Sequence, residues 1–369
     1  MHAPISRPLS ILYVGDLTPG NTCTQRRQAL FDIGSSITSV DLTPPGPRKD
    51  RSAWERVRRR LLGPRDRTDA NRQLLEAVRR NPFDLVWMDK GLVIEATTLK
   101  EIKQQQPRCL IVGYAPDDMY ARHNQSRQFR RHLRCYDHFF TTKSYNVHEL
   151  QSLGCPRVSF VGNAFDPHTH RPIQVTPDER QRYGGLVGFI GTWEQARATS
   201  LFRLAAAGVG VRVWGNSWEH CRRRLDHLQI ERRALYGEEY AVAINAFAIN
   251  LCFLRKQNRD LQTTRSVEIP ACGAFMLAER TEEHRALFSE GVEAEFFGSD
   301  DELIDKVRYY LAHPEDRERI AAAALRRCTT SGYSYRHRME SMLFQAGARA
   351  AVIPSVVPMA AHGMAMELA

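Results

Sequence analysis

The 369-residue sequence contains no run of about 18 apolar residues, so no membrane-spanning helix is expected. Its first residues, Met1-His-Ala-Pro-Ile-Ser-Arg7, lack the apolar stretch of a secretory signal, which points to a cytoplasmic protein. None of the eight cysteines forms a C-x-x-C pair. Their scatter argues against a zinc site or a disulfide framework and leaves them as small core residues. The glycine fingerprint G-x-G-x-x-G is also missing, so nicotinamide binding is unsupported.

Acidic residues are the scarcer charge: 42 Asp and Glu against 52 Lys and Arg give a net charge of +10. The excess is local. Between Arg48 and Arg80 twelve basic residues accompany five acidic ones, and Arg122, Arg127, Arg130, Arg131 and Arg134 follow with no acid among them. Such fields attract phosphates, anionic lipid surfaces or nucleic acid, although a solvated helix face explains any single arginine. Binding of single-stranded nucleic acid also needs aromatic rings among the basic residues. Only Trp54 and the nearby Phe83 meet that need, so no nucleic-acid partner is expected. The basic stretch at residues 56–60 instead suits peripheral contact with an anionic inner membrane face.

Apolar residues make up 43% of the chain, enough for full cores, and the length suits two domains. Short apolar runs alternate with helical patterns. In the first block, strands are expected over residues 11–16, 35–42, 84–89, 109–114, 138–142 and 157–162. Helices are expected over 24–33, 52–62, 69–80 and 144–153, with Asp69 and Ser144 as N-caps. Residues 163–185 are rich in Pro, His and charge and read as the crossing between domains. Strands then recur over 186–191, 210–215, 248–254, 275–277 and 294–297. Helices are expected over 192–207, 218–227, 238–248 and 281–288, after a Ser299–Glu302 capping box, from Pro314, and over 335–349. This alternation implies an α/β chain of two doubly wound parallel-sheet (Rossmann-like) domains, residues 1–165 and 166–345, with a tail over 346–369. Their facing edges enclose a cleft, the usual place for a ligand.

The most informative stretch is Arg265-Ser-Val-Glu268-Ile-Pro-Ala-Cys-Gly273-Ala-Phe-Met-Leu277. It reads as a short helix, a glycine stop where positive φ is needed, and a buried strand. Glu268 and Arg265 share one helix face, where they hold a ligand or simply pair with each other. In the first block, Gly15, Asp16, Gly20 and Asn21 occupy a strand-to-helix turn of the kind that faces ligands. Asp117 and Asp118 follow another strand and serve as ligand acceptors, as a general base or as an N-cap.

Residues 265–280 resemble the donor-site block of group-1-type glycosyltransferases, above all the CgeB-like branch. Phe288-Ser-Glu-Gly-Val-Glu293-Ala-Glu-Phe-Phe297, Phe189-Ile-Gly191-Thr-Trp193 and Asn163-Ala-Phe-Asp166 are similar to other landmarks of that branch. The resemblance covers about residues 162–343 and is loose before them. It implies the GT-B fold and transfer of a sugar from a UDP- or GDP-sugar to a hydroxyl acceptor, with no metal or other cofactor. The acceptor is then a glycan, a lipid-linked molecule or a small molecule, as in bacterial surface-glycan synthesis.

The family often carries a Glu-x7-Glu motif, whose second acid binds ribose and whose first touches the donor sugar. Here the positions hold Asp260 and Glu268, so the first acid is one methylene short. That motif favours retention of anomeric configuration; inversion would instead use Asp117 or Asp118 as base. The leaving diphosphate needs positive charge aimed at it. Arg197, Arg255, Lys256 and Arg265 are the candidates, with backbone N–H groups near Thr263 and Thr264. Gly191, Thr192 and Trp193 line the same side, and Tyr236 with Gly237 lies where a base would sit, by analogy. Gly15, Asp16, Gly20, Asn21 and His123 are assigned to the acceptor. Alternatives are a sugar-nucleotide epimerase or hydrolase on the same fold, a sugar-binding relative without activity, and a basic nucleic-acid-binding module.

Overall fold

A computed structural model describes residues 8–44, 63–221 and 223–348. The helix expected over 52–62, the basic stretch 56–60 and the tail after Ile353 lie outside the described residues.

Strands buried on both faces read as unbroken apolar runs, and helices must cover them on each side. The inner strands of the first block follow this rule, while edge strand β2 is largely exposed. Strands β1 (Ser10–Gly15), β2 (Ser36–Asp41), β3 (Leu85–Asp89), β4 (Leu110–Ala115), β5 (His138–Thr141) and β6 (Val158–Phe160) form one parallel sheet in the order β2-β1-β3-β4-β5-β6. Helices α1 (Thr22–Asp32), α2 (Ala70–Arg80), α3 (Ala96–Gln105), α4 (Arg127–His132) and α5 (Asn146–Ser152) connect them. Alternate residues serve opposite faces. Ile11, Tyr13, Leu85 and Trp87 pack into one core, and Leu12, Val14, Val86 and Met88 into the other.

The second block repeats the plan. Strands β7 (Gly185–Ile190), β8 (Val211–Trp214), β9 (Leu228–Ile230), β10 (Phe247–Cys252), β11 (Met276–Glu279) and β12 (Glu295–Phe297) form a parallel sheet in the order β12-β11-β10-β7-β8-β9. Its helices are α6 (Pro177–Tyr183), α7 (Gln195–Ala206), α8 (Gly237–Ala246), α9 (Arg265–Ala271), α10 (Glu282–Leu287), α11 (Asp300–Ala312) and α12 (Pro314–Thr330). The last helix, α13 (Tyr335–Gln345), returns to the first sheet, where Tyr335, Met339, Met342 and Leu343 join the core of β1 and α1. Strand order reverses between β1 and β3 in one sheet and between β7 and β10 in the other. Open α/β sheets bind ligands outside the carboxyl ends of their strands at such points.

Four local expectations are corrected. Asp69 adopts a left-handed backbone (φ 53°) and caps nothing. The Asp66 carboxylate instead accepts the amides of Thr68, Ala70 and Asn71 at the start of α2. Ser144 does not cap α5; its hydroxyl donates to Glu283 of the second domain at 2.6 Å. The crossing 163–185 holds a true helix, α6, begun by a capping box between Thr176 and Glu179 with Pro177 next to it. The helix expected over 218–227 is a single 3-10 turn, Trp218–His220, followed by edge strand β9.

Candidate functional site

At the carboxyl ends of β7 and β8 a cleft of about 230 Å³ opens between the two domains. Gly191, Thr192, Gly215, Asn216, Tyr236 and Gly237 form one wall; Tyr240, Thr264, Arg265 and Glu268 form another; Gly20, Thr22 and Gln25 come from the first domain. Two backbones meet here at close range. A Cβ on Gly215, whose φ is 156°, would stand 1.9 Å from the Gly191 carbonyl oxygen. That oxygen accepts the Trp218 indole N–H at 2.8 Å. Gly20 (φ 81°) lies so close to Tyr236 that a Cβ would stand 3.0 Å from the tyrosine Cβ. Only glycine satisfies both the conformation and the space.

Glu268 is buried on α9, where Tyr240 of α8 donates its hydroxyl to Oε2 at 2.7 Å. His170 Nε2 stands 3.8 Å from Oε1. The Asp166 amide donates to His170 Nδ1 at 3.0 Å, so the neutral ring carries its hydrogen on Nε2, facing Glu268. The carboxylate is therefore oriented by its neighbours, and Oε1 keeps capacity to accept hydroxyl hydrogens. Arg265 does not pair with Glu268. Its Nε is buried with no hydrogen-bond partner, and it has no ion-pair partner among the described residues. A guanidinium in that state at the wall of a cleft suits an anion.

The other expected cations are already engaged. Arg197 is buried and donates to the carbonyls of Thr192, Phe253 and Leu254, tying together the ends of β7 and β10. Burial, aided by repulsion from Arg265, pulls its pKa down to about 10. Arg255 pairs with Glu194 at 2.9 Å and Lys256 with Glu279. None of the three lines the cleft. Trp193 lies beside it, packed against the His220 ring 5.7 Å away. These cations brace the strand ends.

Asp260 is also placed differently from the family pattern. It forms a buried ion pair with Lys143 of the first domain, Nζ to Oδ1 2.6 Å, and does not line the cleft. Its loop fastens the two domains together. Asn258 donates to Asp117 at 3.0 Å and accepts from Asn124 at 2.8 Å. Arg259 forks onto Asp118 and Glu149 while its guanidinium lies 4.2 Å from the centre of the Tyr145 ring.

A second cavity, of about 370 Å³, lies at the carboxyl ends of β1, β3 and β4 and includes Asp16, Asn21 and Asp117. Thr22 lines both cavities. Gly15 ends β1 beneath it, close to Asp89. Burial would raise the Asp117 carboxyl, but Lys90 beside it and Asn258 hold it below the usual carboxylate range. Asp118 is excluded from both cavities: it is fully buried and accepts from the Tyr120 and Ala121 amides, Asn146 and Arg259. It orders the chain after β4 and cannot reach an acceptor. His123 is exposed and lines neither cavity.

Sequence reasoning missed His170, Tyr240 and Asn216 in the cleft, and Arg26 and Asp89 in the first cavity. Lys90 with Gly91 is legible as a charged residue and a glycine at a strand end, where α/β sheets place ligand groups, and both line the first cavity. Asp89 ends β3 itself, and the others are brought in by helices and loops distant in sequence.

Residues 197–343 match the family model described as glycosyl transferase-like. No curated protein matches the sequence. Among solved structures, the chain is similar to sucrose-phosphate synthase from Thermosynechococcus elongatus at 11% identity over 92% of this chain and 99% of that one, with a TM-score of 0.59. It is similar to Anabaena HepE in complex with UDP-glucose at 11% identity over 92% of this chain and 100% of that one, TM-score 0.59. An α,α-trehalose-phosphate synthase (UDP-forming) from Burkholderia vietnamiensis aligns at 12% identity over 93% and 100% of the two chains, TM-score 0.61. Two parallel six-stranded sheets facing one cleft, shared with these structures over more than nine-tenths of the chain, give this protein the GT-B fold.

Proposed function

We propose that the chain is a glycosyltransferase that moves a sugar from a UDP- or GDP-sugar to a hydroxyl acceptor. The observation that carries this reading is that one interdomain cleft holds both Glu268, oriented by Tyr240 and His170, and Arg265, which has no ion-pair partner among the described residues. In this reading Glu268 accepts the ribose hydroxyls, Arg265 neutralises the diphosphate as it leaves, and the β7 and β8 turns admit the nucleotide against bare backbone. The second domain, which is residues 166–345 without α13 because that helix packs on the first sheet, holds the donor, and residues 1–165 hold the acceptor. The family resemblance, the partial family match and the UDP-glucose bound by HepE support the donor class.

The chemistry follows the resemblance: retaining and metal-independent transfer. The C1–O bond to phosphate breaks, a C1–O bond to the acceptor forms on the same face, and the acceptor proton passes to a phosphate oxygen. An inverting route would send that proton to Asp117, a carboxylate of the first cavity that Lys90 holds below the usual range. We assign the protein to the CgeB-like branch, acting in surface-glycan synthesis in the cytoplasm or at the inner membrane face. A thermal-shift panel of nucleotide sugars tests the donor assignment, since a ligand that binds only the folded state raises the melting temperature. Nucleotide sugars should stabilise the wild type and fail to stabilise Glu268→Ala; no response to any of them would sink the reading.

A second reading, a sugar-nucleotide epimerase or hydrolase, draws on the position of Asp260, which Lys143 holds outside the cleft. The structure is also similar to a putative UDP-N-acetylglucosamine 2-epimerase from Listeria monocytogenes (10% identity, TM-score 0.54). Formation of an epimer or free sugar from donor alone would favour it.

A further inference from the structure

The first-domain cavity holds two ion pairs of different character. Arg26 grips Asp89 with two bonds, Nε–Oδ2 2.6 Å and Nη2–Oδ1 3.1 Å, and both side chains are 1% exposed. The Tyr114 ring lies 4.5 Å from the guanidinium, and Tyr335 of α13 closes the other side. That pair is a sealed floor. Lys90 and Asp117 also pair, but their side chains remain 32% and 25% exposed. An ammonium has three N–H donors. Lys90 uses one on Asp117, and the other two have no protein acceptor among the described residues.

The backbone at Lys90 carries a second signal. Lys90 has φ 64°, in the left-handed region that non-glycine residues avoid. Gly91 follows at φ 28°, and a Cβ there would stand 2.6 Å from the Met88 side chain. The turn is held in this form by its neighbours. Backbone strain of this kind gathers at ligand clamps. Here it aims a half-open ammonium into the cavity, at the point where strand order reverses. Among the described residues the lining holds four cations, Arg26, Arg65, Arg67 and Lys90, against three carboxylates. Leu42, Leu92 and Pro116 supply an apolar side.

We propose that this cavity takes an acceptor carrying an oxyanion, phosphate or carboxylate, near its reacting hydroxyl, and that the Lys90 ammonium binds that group. The proposal rests on the transferase reading above, whose acceptor class it names. Lys90 then bridges the acceptor's anionic group and Asp117. Arg65 at the rim adds charge. Thr22, common to both cavities, marks the side from which the hydroxyl meets the donor.

The test is calorimetric titration of the full chain with its cleft filled by UDP, and in parallel of Arg265→Ala, so that the donor site does not report the anion. The probes are inorganic phosphate, glucose 6-phosphate, glucuronate and neutral glucose, together with phosphatidylglycerol and phosphatidylcholine vesicles. Charged probes should bind more tightly than glucose. Lys90→Asn, which tolerates the left-handed backbone, should weaken them roughly tenfold or more. Response to the soluble charged sugars identifies a free acceptor; response confined to phosphatidylglycerol identifies a lipid-borne one. Equal binding of neutral and charged sugars, or unchanged affinity in Lys90→Asn, overturns the proposal. Should that variant not fold, Arg65→Ala and the wild-type contrast decide. UDP binding reads the donor assignment separately: UDP bound with no response to any charged probe defeats this inference alone.

Discussion

Lys143 and Asp260 join the two domains through an ion pair of 2.6 Å with both side chains almost fully buried. Asp260 Oδ1 receives no well-aligned hydrogen bond, so charge rather than geometry holds the contact. Burial pushes the Asp260 carboxyl up, against the pull of Lys143. Breaking such a pair leaves an uncompensated buried charge, whereas replacing both partners with apolar groups is often neutral. Asp260→Ala and Lys143→Met should each lower stability by about 3 kcal/mol, and Lys143→Met combined with Asp260→Leu should restore most of it. Denaturant unfolding of the singles and the double checks this; additive losses would show that the two residues act independently.

The Gly191–Gly215 contact sets a steric limit on the cleft. Gly215→Ala would drive a methyl into the Gly191 carbonyl, 1.9 Å away. Gly208 also has positive φ (81°) but open space around it. Gly208→Ala should therefore cost about 1 kcal/mol from conformation alone. Gly215→Ala should cost on the order of 3 kcal/mol or more and abolish nucleotide binding. Comparable losses at the two glycines would show that the backbones do not need to touch.

Helix α9 rests on a histidine that acid should unseat. His284 must donate from Nδ1 to the Glu279 carbonyl, 2.6 Å away, so its Nε2 accepts the Ser266 hydroxyl at 2.7 Å. Burial depresses its pKa to about 4, and that of His132 likewise. The unfolded chain takes up these protons near pH 6.5 and the folded protein only near pH 4. Their contribution is whole above pH 6.5 and is lost as pH falls toward 4, on the order of 3 kcal/mol for each. Unfolding measured across this range should show the loss, and His284→Asn should make it shallower. A flat profile between pH 6.5 and 4 would contradict the assignment.

Much of the architecture is legible in the sequence because parallel strands buried on both faces leave unbroken apolar runs, as at Ile11–Val14 and Leu85–Met88. The α9–Gly273–β11 unit is legible for the same local reasons: a glycine at φ 70° between a helix and a buried strand. Error arose where local spacing imitates another element. Trp218, Cys221, Leu225 and Leu228 recur at helical intervals, yet the Trp218 indole is drawn to Gly191 and the helix stops after one turn. The site was half legible. Gly191, Tyr236, Arg265 and Glu268 meet in one cleft, as strand ends and a helix start allow. That Asp260 turns to Lys143, and that Arg197 ties three carbonyls, depends on which residues the other strands and the other domain present. No spacing within the chain records that.

The central claim is that Glu268 reads ribose while Arg265 reads phosphate. Calorimetric titration of UDP, GDP and pyrophosphate into the wild type, Glu268→Gln and Arg265→Ala tests it directly. The wild type should bind a nucleoside diphosphate. Glu268→Gln should weaken that nucleotide about tenfold or more and leave pyrophosphate unchanged, and Arg265→Ala should weaken both. No binding of either nucleotide by the wild type, or equal nucleotide affinity in wild type and Glu268→Gln, would contradict the account.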